Sequence, residues 1–288
     1  MERISRGFRL AGQSWQVVKA DKELVGLAAV SLVAAAVAMG VVALAYIVIT
    51  PGGLSDDSSF GAVEGVFSIA GAVAVTYIGQ FTLAAIVGAA SIRLKGGDPT
   101  VRDGLQMASK RAGAIFAWTL LTVTVGLVLR AVRERAGFLG DLLSFIAEAA
   151  WAVLTFMVVP VIVHEGLGPW ESVKRSSQIF KDRWGEQLVG EGTIGIAVFL
   201  VGVLVIGPTI LLGSVLLPVA IVLVVIEVIL LMSVSTALSG VFRAALYEYA
   251  VKGESVGPFA AADLAGQFHP RRGARGPGMA GGFAGPLQ

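Results

Sequence analysis

Two carboxylates stand inside long apolar runs, Glu148 within 142–163 and Glu227 within 217–240. A carboxyl in hydrocarbon is costly, so it marks either a satisfied packing contact or a site that handles protons or ions. Counting inward from residue 217 at 1.5 Å per residue puts Glu227 about 15 Å deep, near the middle of a bilayer. The same count brings Thr76, Tyr77 and Thr122 to that level, with Gln80 somewhat deeper. Glu227, Thr76, Tyr77, Gln80 and Thr122 therefore form a candidate midplane polar site, of the kind a proton-coupled permease needs. The alternative is a carboxyl hydrogen-bonded to a neighbouring helix for packing alone. Glu148 lies only about 9 Å below the outer end of its run, on the side where Arg130 closes the run before it. An Arg130–Glu148 pair tying a hairpin is expected there.

Other chemistries find few residues to carry them. The chain has no cysteine and only two histidines, His164 and His269. That excludes disulfides, thiolate metal sites and a cysteine nucleophile, and no H-E-x-x-H pair is present. The run GGDP at 96–99 lacks the lysine and spacing of a phosphate loop. No catalytic residue, metal or cofactor is expected, and the chain is not read as an enzyme.

The elements that must position these residues follow from hydropathy. Of the 288 residues 56% are hydrophobic and 15% charged, with a mean hydropathy of +0.81; a soluble domain is nearer half apolar and a quarter charged. The excess falls in blocks long enough to cross a bilayer as helices. Their continuous apolarity excludes barrel strands, which alternate. The expected fold is an all-α polytopic membrane bundle of six spans, at 24–50, 66–92, 112–129, 142–163, 193–212 and 217–240. Residues 1–256 form the membrane domain. Residues 257–288, rich in Gly and Pro with Arg271, Arg272 and Arg275, form a disordered basic tail. Nineteen of the 22 Lys and Arg fall on one side of these spans and three on the other, which predicts cytoplasmic N- and C-termini.

Each pair of spans is preceded by an amphipathic stretch. In EGLGPWESVKRSSQIFKDRW, Pro169 suits a first helical turn. Trp170, Val173, Ser177, Phe180 and Trp184 recur at spacings of 3, 4, 3 and 4, one stripe of a helix lying in the membrane interface. Lys174 and Lys181 border it, where long stems reach headgroups, and Arg175 lies on the far side. At the N-terminus Ile4, Phe8, Ala11, Trp15 and Val18 form a similar stripe among Arg6, Arg9 and other cations. Before the third span, Asp98 is a candidate N-cap and Pro99 a candidate first residue of a helix. The pattern reads as three repeats of cytoplasmic amphipathic helix plus two spans. Arg6, Arg9, Trp15, Trp170, Lys174, Arg175, Lys181 and Trp184 are the expected contacts to anionic lipid or to a membrane or cytoplasmic protein partner. No folded basic module supports nucleic-acid binding.

The stretches SWQVVKADKEL (14–24), RLKGGDPTVRDGL (93–105), EAAWAVLTFMVVPVIVHEG (148–166) and KRSSQIFKDRWGE (174–186) carry a resemblance. Over about residues 5–250 the chain resembles an uncharacterised family of six-span prokaryotic integral membrane proteins, a domain of unknown function. The family pattern has a small residue where Glu148 stands, so this chain departs from it there. The layout is also similar to the membrane domain of some glycerophosphodiester phosphodiesterases, without their catalytic domain. The resemblance implies architecture and a plasma-membrane location, with no activity and no catalytic residues.

Overall fold

The computed structural model describes residues 2–50, 61–183, 189–212, 217–252 and 257–259. Among them are nine helices and no strand: α1 Glu2–Ala20, α2 Glu23–Ile49, α3 Ala62–Leu94, α4 Val101–Ser109, α5 Ala112–Thr155, α6 Val158–Glu165, α7 Pro169–Arg183, α8 Val189–Leu212 and α9 Leu217–Lys252. Five stretches are long and apolar enough to span a membrane: Glu23–Ile49, Ala62–Leu94, Ala112–Arg135, Gly140–Glu165 and Leu217–Val251. The span expected at 193–212 falls on α8, whose described apolar stretch, Ile194–Ile210, is shorter.

The 44-residue α5 is folded back on itself. An uninterrupted helix would separate Trp118 from Trp151 by about 50 Å, yet their rings stack with centroids 5.9 Å apart. The Ser144 hydroxyl donates to the Leu129 carbonyl at 3.2 Å, so the chain reverses between these residues. Helical backbone extends through the expected 130–141 connection. The expected Arg130–Glu148 pair does not form: Arg130 pairs with Glu134 one turn on, and it is Arg133 that holds Glu148. The helix runs past 129, which places Arg133 opposite Glu148 and leaves Arg130 facing its own i+4 carboxylate.

The core sits toward one end of the bundle. Ala84–Ser91 of α3 are buried on every side, against α2, α4, α5, α6 and α9. Small residues make this possible: a Cβ at Gly104 would lie 2.6 Å from the Ala85 carbonyl, so α4 crosses α3 in backbone contact. Away from this end the helices present apolar side chains outward, Val37 and Val48 from α2, Phe199 and Leu204 from α8, Val222 from α9. An apolar belt of this extent needs hydrocarbon around it. The short helices α4 and α7, with α1, gather at the buried end and form a collar there. Packing also continues past residue 256, the expected boundary of the tail: Phe259 is fully buried in the core. The rest of that tail, and the loop 51–60, lie outside the described residues.

Candidate functional sites

At the collar end, a polar lock joins four helices. α6 ends at Glu165 because Gly166 adopts the left-handed conformation (φ 69°) that closes a helix. Glu165 accepts from Arg175 Nε of α7 at 3.0 and 3.1 Å and from the Tyr247 hydroxyl of α9 at 2.9 Å. The Tyr247 ring stacks on His164 at 5.0 Å. His164 Nε2 lies 2.9 Å from Ser91 Oγ of α3. That hydroxyl already donates to the Val87 carbonyl, so the imidazole is the donor to Ser91. Nearby, Lys95 pairs with the buried Glu248 at 2.6 Å. On the other side Arg93 bonds Asp98 at 2.7 Å and Asp21 at 3.4 Å. Asp21 is buried, and burial is the main cause that pushes its carboxyl above the ordinary range, with the Arg93 guanidinium opposing.

The α4 start differs from expectation. The N-cap is Thr100, not Asp98: Thr100 and Asp103 form a reciprocal capping box. Asp98 is drawn instead to Arg93. The hydrogen bonds Asp103 accepts from Thr100 lower its pKa. Glu23 of α2 accepts the next free donor, Val101 N–H, at 3.0 Å.

α7 is a helix from Pro169, as expected, but its buried face is one position off the expected stripe. Ser172, Ser176 and Ile179 are buried, while Trp170 is 56% exposed. The reason is a break in the α5–α6 segment at Phe156–Met157. Pro160 cannot donate to the Phe156 carbonyl, and its ring crowds it. Ser176 bridges the break, donating to the Leu154 carbonyl at 2.6 Å and accepting from Met157 N–H at 3.2 Å. Of the expected contact residues, Trp15 and Trp170 are exposed, and Lys174 lies 5.9 Å over the Trp170 ring. Arg9, Lys174 and Lys181 are exposed too. Arg175 turns inward to Glu165. Trp184 and the Arg6 side chain lie outside the described residues.

Glu227 is hydrogen-bonded by a residue that sequence reasoning missed. The Thr209 hydroxyl of α8 donates to its Oε1 at 2.8 Å, and Oε2 is buried with no partner. No hydrogen bond joins Glu227 to Thr76, Tyr77, Gln80 or Thr122. Thr122 donates to its own helix at Trp118, Tyr77 packs edge-on against Phe116, and Gln80 Oε1 is buried without a partner. Depth along a helix is countable from sequence; direction around the axis is set by packing. The adjacent signal was Pro208-Thr209, a helix-distorting proline beside a hydroxyl.

An all-α bundle with a locked collar and an apolar belt, with Glu148 and Glu227 lying within its long apolar helices, defines a membrane-embedded helical protein. Residues 65–257 match the model of a family of unknown function, DUF6159, and the chain belongs to that family. No curated protein and no solved structure matches, so the expected likeness to glycerophosphodiester phosphodiesterases finds no support.

Proposed function

We propose that this is a non-enzymatic protein of a prokaryotic plasma membrane that organises anionic lipid, or a protein partner, through its collar. In this reading six spans run in three units of amphipathic helix plus hairpin, and the collar and both termini face the cytoplasm. The Lys and Arg asymmetry of the sequence supports that orientation. The observation that carries the function is the arrangement of α7. Its inner face is fixed by Ser176 and Arg175, and its outer face holds Trp170 exposed beneath the Lys174 ammonium. A fixed helix presenting an aromatic and a cation together is suited to the headgroup region. The test is lipid analysis of protein purified in native lipid discs. Anionic lipid should be enriched around the wild type, and Lys174→Glu with Lys181→Glu should lose that enrichment. Unchanged lipid composition overturns the reading.

A second reading, transport, is favoured by the buried, unpartnered Oε2 of Glu227. Glu227→Gln should abolish proton-coupled uptake in proteoliposomes; equal uptake removes it.

A further inference from the structure

A cleft of about 850 Å³ opens between α2, α3 and α4, lined by Glu23, Leu27 and Ala34, by Tyr77 and Phe81, and by Arg102. That is within the roughly 300–1,000 Å³ of clefts that hold small ligands. Two hydroxyls on its walls are turned back on their own helices: Ser31 donates to the Ala28 carbonyl at 2.7 Å and Thr82 to the Ile78 carbonyl at 2.8 Å. The walls are therefore almost entirely hydrocarbon. From Glu23 to Ala34 the cleft descends about 16 Å along α2, close to half of the ~30 Å hydrocarbon core. It is one leaflet deep, and it starts at the collar.

The mouth has a definite chemistry. Around the start of α4 the Thr100, Val101 and Asp103 N–H groups are already taken, by Asp103 Oδ2, Glu23 Oε2 and Thr100 Oγ1, which leaves little of the helix end for an anion. Two groups are left. Arg102 makes no hydrogen bond or ion pair among the described residues, and Glu23 Oε1 accepts none. They stand on neighbouring positions, since Glu23 bonds the backbone of the residue before Arg102. The Arg102 guanidinium, beside Asp103 but not hydrogen-bonded to it, complements a phosphate, and the Glu23 oxygen that accepts no hydrogen bond complements a primary ammonium. We propose that the cleft binds an aminophospholipid of the phosphoethanolamine type, one acyl chain in the slot, its phosphate on Arg102 and its ammonium on Glu23. A choline headgroup has no N–H to give Glu23, and an anionic glycerol headgroup brings no cation to it. The proposal rests on the placement of the collar at a membrane face, though not on the anionic-lipid reading of Lys174 and Lys181.

The test uses the full chain in discs containing equal phosphoethanolamine, phosphoglycerol and phosphocholine lipids, followed by native mass spectrometry of retained lipid. The wild type should keep the phosphoethanolamine lipid preferentially. Glu23→Gln retains an amide oxygen to cap Val101, so the fold is kept; its preference should fall roughly tenfold, the worth of one charge-assisted hydrogen bond. Arg102→Gln should lose all three classes from the site, and Ala34→Trp should fill the slot and do the same without touching the mouth. A diazirine-bearing phosphoethanolamine should crosslink to α2 and α3 inside the cleft. Equal retention by Glu23→Gln and the wild type, preference for phosphoglycerol, or a second copy of the chain seated over the cleft each overturns the proposal. The Lys174 and Lys181 variants should leave this signal intact, so either reading can fail alone.

Discussion

The Arg243 guanidinium lies over the Phe156 ring, 4.6 Å from its centroid, and reaches the carbonyl of the same residue at 3.5 Å. That carbonyl is the one Pro160 leaves without a helix donor. The hydrogen bond is long, so the cation–π contact is the firmer part of the pairing. Arg243→Met should destabilise the protein by about 1–3 kcal/mol, the worth of a hydrogen bond from a charged donor together with the cation–π contact. Pro160→Ala restores the donor, and in the double variant part of the loss should return. Thermal unfolding in detergent reads the cycle; strictly additive effects would contradict the coupling.

Ser176 holds the other side of the same break. Ser176→Ala removes one donor and one acceptor from buried backbone, and should cost about 1–3 kcal/mol. Ser177→Ala is the control, since that hydroxyl only bonds the Lys174 carbonyl of its own helix. It should change stability by less than about 0.5 kcal/mol. Equal melting shifts for the two would show that the bridge is incidental.

These two contacts also mark where the sequence stops being readable. Apolar runs located five of the six expected spans as long apolar helices, because a bilayer demands such helices whatever their neighbours. Pro169 located the start of α7. The face α7 buries was not legible: Trp170 and Phe180 are more hydrophobic than Ser172 and Ser176, and periodicity alone chooses the aromatics. What decided it was a broken helix elsewhere in the chain that needed hydroxyls. Likewise the position of Glu227 along an apolar helix was legible, whereas its partner Thr209 depended on how α8 and α9 turn toward each other. Arg133 and Arg130 differ by less than one helical turn, and only the helical extension past 129 separates them.

That difference is directly measurable. Arg133→Ala should lower the melting temperature more than Arg130→Ala, whose i,i+4 pair with Glu134 is exposed and worth about 0.3–0.5 kcal/mol. The charge swap Arg133→Glu with Glu148→Arg should recover part of the loss, and Arg130→Glu with Glu148→Arg should not. Rescue by the second swap instead would restore the pairing expected from sequence.

Asp21 and Asp103 give the collar opposing responses to pH. Asp21 is raised above its ordinary 3.8, first by burial, with Arg93 opposing. The folded state therefore holds that proton more tightly than the unfolded chain. Its contribution is fully present below 3.8 and is lost as pH rises through the raised value. Asp103 is lowered from 3.8, chiefly by the hydrogen bonds from Thr100. Its contribution is present above 3.8 and is lost as pH falls through the lowered value. Asp21→Asn stays neutral at every pH, so the variant should be more stable than wild type near pH 7, and the two should converge toward pH ~4. Asp103→Asn should be less stable near pH 7, with the gap closing only at more acid pH. Melting curves across this range separate the two. An Asp21→Asn protein less stable than wild type at neutral pH would mean that the Arg93 ion pair outweighs the desolvation of the buried carboxylate.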